Sequence, residues 1–292
     1  MKIIFSRKGF DSSSGGVPNP ILQDGTIFPL PIPDKQSIIK YEDIEWKGIN
    51  VGALVSNLTN GKIKKNYFAH LDPDLSQELK IKHFPKTKNW KPIFGQTGIA
   101  QKHLLNNNIN IGDIFIFFGL FREVRFHENK YKFVSRSMKK HIIWGWLQIE
   151  KIIKINSTPV GLEWAKYHPH LNRDDEVNNY IYIAKRNLSI PNLDIELPGG
   201  GIFPNLHSDL ILTVSGAKNP SEWELPTWFY PKGGNIPITY HGNLSRWEKY
   251  NNKVRLKSVA RGQEFILNTK IYPEATRWLT SIFKEMRLKM MY

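Results

Sequence analysis

Residues 110–122 read NIGDIFIFFGLFR and residues 141–149 read HIIWGWLQI, and the reading of these two runs decides the fold class. Gly112-Asp113 supplies turn chemistry, and an unbroken apolar run follows it directly. The longest apolar stretch, 109–121, is interrupted by that turn and falls short of the ~20 residues a bilayer span needs. It reads instead as a strand buried on both faces. In the second run, Trp144 and Trp146 are expected on opposite faces of a strand. One of them is expected in the core, and the other can serve as a wall on which a base stacks.

Working outward, further strands are expected at 2–6, 180–184, 209–214 and 263–267. Helical pattern is scarcer. Residues 97–107, TGIAQKHLLNN, fit a helix opened by Thr97, with Ile99, His103 and Leu104 on related turns. Residues 273–288, PEATRWLTSIFKEMRL, fit another, with Pro273 in the first turn and Trp278, Ile282 and Phe283 forming an apolar stripe. Short β-prone runs punctuated by Pro and Gly give an α+β class, β-rich and mixed, in one compact unit over 1–292. The stretch 187–201, NLSIPNLDIELPGGG, reads either as a divider or as an ordered loop.

Net charge is +15, from 41 Lys+Arg against 26 Asp+Glu, and such an excess favours a polyanionic partner. A Lys/Asn/Ile-rich background explains part of it. With no cysteine, disulfides, thiolate catalysis and cysteine-based zinc sites are excluded. MKIIF runs straight into SRKGFD without an apolar signal region. We therefore expect a soluble cytoplasmic protein with DNA or a nucleotide as partner and no membrane.

The amino-terminal stretch 6–16, SRKGFDSSSGG, concentrates hydroxyls, charge and glycine at the end of the first strand. Serine hydroxyls and the N–H groups of a Gly-rich turn suit an anion nest, to which Arg7 and Lys8 add charge. Asp11 can hold a ribose hydroxyl or act as a base; equally, Asp11 and Ser12 can simply cap the backbone of a tight turn. Neither the P-loop nor the dinucleotide-binding glycine spacing is present. At 260–267, ARGQEFIL carries Glu264 into an apolar strand, where a carboxylate is costly unless paired, and Arg261 is the nearest partner in sequence. Such a strand-borne glutamate is also similar to that of ADP-ribosyltransferases. Here the histidine–tyrosine arrangement they carry near the start is missing, and Tyr240-His241 falls too late.

Other constellations read blandly. His70-Leu-Asp72-Pro-Asp74 sets an imidazole beside two carboxylates, able to bind a divalent ion or to act as acid and base, but an Asx-Pro turn explains it as well. His168-Pro-His170 has no third ligand nearby in sequence, and no H-x-x-x-H spacing occurs, so no metal is expected and no cofactor is indicated. The aromatics of 223–234 and the glycines of 196–204 suit either ligand contact or packing.

The order helix, GD turn, buried strand and tryptophan-rich strand resembles the PUA-like superfamily of ASCH, EVE and YTH modules. That resemblance implies a small barrel over about 90–156 and a base pocket walled by Trp144; Arg122, closing the first strand, can meet a phosphate or merely solvent. SRKGFDSSSGGVPNPIL, DGT and PLPIPD, taken with GQTGIAQKHL, NIGDIFIFFGLFR, HIIWGWLQI and ARGQEFIL, resemble the nucleotide modification associated domain 3 family over essentially the whole chain. This implies a place in bacterial or phage systems that hypermodify DNA bases, beside other enzymes of such a system. The expected pocket joins Ser6, Arg7, Lys8, Ser12, Gln96, Trp144, Arg261 and Gln263 around a modified base or nucleotide. In the alternative of an enzyme that installs or transfers a modifying group, Asp11 or Glu264 is the acid/base or ribose-orienting residue. A basic scaffold for partner enzymes is the third reading.

Overall fold

Nine strands build the sheet that the two quoted runs anchor: β1 (Lys2–Arg7), β2 (Asn19–Ile21), β3 (Ile93–Gln96), β4 (Ile114–His127), β5 (Lys130–Phe133), β6 (Lys140–Lys154), β7 (Tyr180–Ala184), β8 (Gly200–Ile202) and β9 (Glu264–Asn268). Three helices accompany them, α1 (Val51–Leu58), α2 (Gly98–Asn106) and α3 (Glu274–Lys289). This computed structural model describes residues 1–156, 160–173, 177–259 and 264–289, without the side chains of 288 and 289. The β-rich α+β class expected from the sequence is the one observed.

The sheet runs in the order β9-β1-β4-β6-β7-β3. β1 lies parallel to β4 and antiparallel to β9, so strands from both ends of the sequence flank the buried run. β4 and β6 pair antiparallel through a long hairpin, and β7 and β3 continue the sheet. Period-2 alternation then sorts the aromatics onto two faces. On the outer face Phe5 meets Trp278 of α3 at 5.8 Å between centroids, and Trp146 meets Phe283 at 5.2 Å. The apolar stripe read in the last helix is thus core packing. A three-stranded sheet (Glu222–Pro226, Trp247–Tyr250, Lys253–Lys257) also covers this face, through Trp223 against Phe118 at 5.1 Å. On the inner face Phe94, Phe115, Phe117 and Tyr182 form a tight aromatic cluster, with centroids 4.9–5.9 Å apart.

Phe94 belongs to β3 and Phe115 to β4, three strands away in the order, so the sheet must curl to bring them into contact. The curl continues until the two end strands face each other at Gln96 and Glu264. No ladder joins β3 to β9 among the described residues, and no closed barrel forms in the central segment. The barrel expected for 90–156 is therefore replaced by an open curl whose seam is closed by side chains.

Segment 209–214 corrects a second expectation. It is not a strand but a 3-10 turn at Ser208–Leu210, followed by isolated bridges from Ile211 to Ile142 and from Thr213 to Trp223. The segment steps from one sheet to the other and extends neither. A separate core forms around α1, where Phe28 stacks on Trp46 at 4.2 Å between centroids. Asn50 caps this helix by accepting from the Ala53 N–H at 2.9 Å.

Candidate functional site

The seam of the curled sheet opens into a cavity of about 600 Å³. Its floor is set by strand register. Ser6 lies directly opposite Glu264 in the β1–β9 ladder, which puts both side chains on the inner face. Gln96 ends β3, and the curl brings it to the same spot. Glu264 Oε1 accepts from Gln96 Nε2 at 2.5 Å and from Ser6 Oγ at 3.1 Å, with Lys8 Nζ at 3.4 Å. Oε2 is buried and has no hydrogen-bond partner among the described residues. Burial pushes the Glu264 carboxyl above its ordinary value, against the opposing pull of Lys8 and the hydrogen bonds from Ser6 and Gln96.

The loop that follows β1 is held in place by Asn19. Its Oδ1 accepts from the N–H groups of Phe10 at 3.0 Å and Leu30 at 2.7 Å, and its Nδ2 donates to the carbonyls of Phe10 at 3.0 Å and Leu120 at 2.8 Å. Gly15 has φ +86°, and a Cβ there would stand 2.4 Å from the Phe10 ring, so the tight turn requires glycine. Within the turn Asp11 Oδ1 accepts from Ser13 N, Ser14 N and Ser13 Oγ at 2.7–2.8 Å. The turn-forming reading of Asp11 thus holds, although the residue also lines the cavity rim.

Arg7, Lys8, Asp11, Gln96 and Glu264 all line this one cavity, with Ser6 beneath Glu264. Ser12 is exposed and off the lining. Arg261 and Gln263 lie outside the described residues. Two expected residues are elsewhere. Trp144 is 1% exposed and stacks on Phe117 at 5.3 Å; regular alternation would put it on the same face as Trp146, and the β4–β6 register shift between Ile143 and Gly145 turns it to the inner face instead. Trp146 is buried too, on the opposite face. Arg122 donates to Ser137 Oγ at 3.2 Å and Val134 O at 2.9 Å, bracing the β4–β5 hairpin away from the cavity. The tyrosine that does face the cavity is Tyr240, 49% exposed, at φ +67° and tilted against His103 with ring centroids 4.5 Å apart. A tyrosine in the left-handed region is an uncommon backbone state.

The far wall is one that sequence spacing could not assemble. His70, Asp72 and His170 converge there, their ligand atoms all within 4.8 Å of one another. His70 Nδ1 meets Asp34 Oδ2 at 2.8 Å, and Arg173 pairs with the same oxygen. His170 Nδ1 meets Asn179 Oδ1 at 2.7 Å. Asp72 Oδ1 accepts from Gly95 N at 2.8 Å and His168 Nε2 at 3.0 Å, leaving Oδ2 to face His170 Nε2 at 3.5 Å and His70 Nε2 at 3.7 Å. Burial pushes the Asp72 carboxyl up, but the hydrogen bond from His168 and the nearby imidazoles of His170 and His70 outweigh it and hold the group well below the usual carboxylate range. Burial keeps His168 neutral by lowering its pKa. Asp74 takes no part: Lys86 and Tyr167 each meet it at 2.6 Å. The histidine pairs were visible in sequence, but 98 residues separate His170 from Asp72, and only the β3 edge beside both brings them together.

A second cavity, about 930 Å³, lies behind the 199–201 glycines, beside Trp146 and the cations Lys88, Lys91, Lys185 and Arg186. Its described lining holds no histidine and no buried carboxylate. Its glycines answer to packing, since a Cβ on Gly199 would stand 2.1 Å from the Lys185 carbonyl oxygen.

No curated protein and no solved structure matches this chain. Among the described residues no helix is long and apolar enough to cross a membrane. The match that does exist covers the sheet, the loop after β1 and every described residue of the seam: residues 2–268 fit the family called nucleotide modification associated domain 3, and the chain belongs to it.

Proposed function

We propose that this chain binds a modified base or nucleotide in the seam cavity, as part of a nucleotide- or DNA-modification system. Family membership supports the association with nucleotide modification. The observation that carries the binding reading is Glu264, a buried carboxylate on the cavity floor whose Oε2 lacks a partner among the described residues. Leaving such a group unsatisfied is costly, and a ligand N–H or O–H removes the cost. The edge of a nucleobase carries such donors.

The rest of the lining suits the remainder of a nucleotide. The volume of about 600 Å³ lies within the ~300–1,000 Å³ of small-molecule sites. Arg7, Lys8 and Arg173 bring positive charge, and the first turn of α2, from Thr97 to Ala100, borders the same space. Tyr240 offers an exposed ring to a base. The test is equilibrium binding of deoxynucleoside monophosphates with plain and hydroxymethylated bases. Tyr240→Ala is expected to weaken binding at least fivefold, from about 1–3 kcal/mol of base stacking, and Gln96→Leu to weaken it by unclamping Glu264. Unchanged affinity in both variants removes the reading.

A second reading, chemistry on the bound base, is favoured by the same Glu264. A carboxyl whose pKa is raised by burial keeps its proton to higher pH than an ordinary glutamate, which suits it to proton transfer. Mass spectrometry of DNA nucleosides from cells carrying active protein or Glu264→Ala tests it. Identical profiles, with both proteins expressed, take Glu264 out of any mechanism.

A further inference from the structure

The wall formed by His70, Asp72 and His170 has three properties of a metal site, each visible in a different set of contacts. The first is tautomer control. The carboxylate of Asp34 can only accept from His70, so His70 Nδ1 carries the hydrogen. Asn179 is oriented by its Nδ2, which donates to the His170 carbonyl at 2.8 Å and the Arg173 carbonyl at 3.3 Å. Its Oδ1 must therefore accept from His170 Nδ1 at 2.7 Å. In their neutral forms both rings then present bare Nε2 lone pairs to Asp72. This is the arrangement that outer partners impose on metal-ligating histidines.

The second property is spacing. His170 Nε2 and His70 Nε2 stand 3.5 and 3.7 Å from Asp72 Oδ2, beyond the ~2.7–2.9 Å of a charge-assisted hydrogen bond. Two ligands at about 2.1 Å on a tetrahedral ion stand roughly 3.4 Å apart, which matches both separations. The contrast lies within one carboxylate. Asp72 Oδ1 makes ordinary hydrogen bonds to Gly95 and His168, at 2.8 and 3.0 Å. One oxygen is anchored to the protein, and the other is offered to the gap between the histidines.

The third property is charge. Asp34 is paired with the guanidinium of Arg173, whereas the Asp72 Oδ2 that faces the two imidazole nitrogens has no Lys or Arg salt-bridge partner among the described residues.

We propose that His70, Asp72 and His170 hold one divalent first-row transition ion, of the zinc or iron(II) class, with its open coordination positions facing the seam cavity. Two imidazoles select against magnesium and calcium, which prefer all-oxygen shells. Three protein ligands leave room for an oxygen of water or of a bound ligand. That such an oxygen belongs to a nucleotide rests on the reading above; the binding of the ion does not.

The experiment uses the full chain, stripped with chelator and titrated with Co²⁺ in the absence of nucleotide. One Co²⁺ per chain is expected, with visible ligand-field absorption, displaced stoichiometrically by Zn²⁺ and not by Mg²⁺. His170→Ala and Asp72→Asn are expected to lower affinity at least tenfold, and Asn179→Ala, which only orients a ligand, by about 10–100-fold. The exposed-histidine variants His83→Ala and His127→Ala keep wild-type binding. Wild-type protein that takes up no stoichiometric Co²⁺, or releases it equally to Mg²⁺, overturns the proposal whether or not the variants fold. So does a folded His70→Ala/His170→Ala variant that still binds. Metal uptake without nucleotide binding keeps this site and removes the nucleotide reading; nucleotide binding without metal uptake does the reverse.

Discussion

Replacing Lys8 with Met isolates the electrostatics of the seam. Lys8 Nζ stands 3.4 Å from Glu264 Oε1, with the two side chains 12% and 1% exposed, and the same ammonium lies over the Phe94 ring, 4.8 Å from its centroid. At an effective dielectric near 20, that separation corresponds to about 5 kcal/mol of attraction. The full sum is not lost, because Glu264 can take up a proton in the folded state instead of keeping an uncompensated charge. The cost of that proton sets the ceiling. Starting from the ordinary glutamate value of 4.5, it is about 3 kcal/mol at pH 7 and under about 1 kcal/mol at pH 5. The sign follows from burial. Glu264 has a folded pKa above its unfolded one, so the folded state holds the proton more tightly, and stability falls as pH rises from about 4.5 toward the folded value. Lys8→Met extends this window upward. Urea denaturation of Lys8→Met should therefore show stability falling as pH rises from 5 to 7, by at most about 1.4 kcal/mol per pH unit, relative to the double variant Lys8→Met/Glu264→Gln. A loss of equal size at both pH values would refute the reasoning and assign the effect to packing alone.

Three further outcomes follow from the same geometry. His141 is buried, accepts from Trp223 Nε1 at 2.9 Å, and has its pKa lowered from 6.5 to about 4 by desolvation, with Arg7 adding to the effect. The unfolded state gains its proton first, so about 3 kcal/mol of stability is lost as pH falls from 6.5 to 4; a flat denaturation profile across that range contradicts the assignment. Trp144→Ala should cost about 3–5 kcal/mol of unfolding free energy, as large core truncations do, and a selective loss of ligand binding without destabilisation would return Trp144 to the pocket. Gly95→Ala would place a Cβ 2.3 Å from the His170 ring, displacing that ring from Asp72. Co²⁺ uptake by the folded variant should fall at least tenfold, and wild-type uptake would show that His170 is not a ligand.

Local pattern carried much of the architecture. Alternation, turn residues and helix punctuation in 110–122, 141–149, 97–107 and 273–288 are short-range properties, and the strands and helices formed where those properties put them. The whole-chain resemblance carried by the opening loop, GQTG and the quoted strands was also legible, because it rests on the order of residues alone. Of the pocket read from 6–16, Gln96, Trp144 and 261–264, the residues Arg7, Lys8, Asp11, Gln96 and Glu264 line one cavity, while Trp144 and Ser12 do not.

What the chain order could not express is distance through space. One of Trp144 and Trp146 was expected to wall a pocket, yet both fill the core, on opposite faces because the register shifts between Ile143 and Gly145. The 90–156 segment read as a barrel of its own, whereas the sheet takes β1 and β9 from the two ends of the sequence and remains open along its seam. His168-Pro-His170 had no third candidate group nearby in sequence, and only the fold sets His170 beside His70 and Asp72, with Gly95 of strand β3 against both Asp72 and His170. A sequence specifies which side chains can bond. The curl of the sheet, set by strand twist and by the packing of Phe94 against Phe115 and Phe117, determined which of them meet.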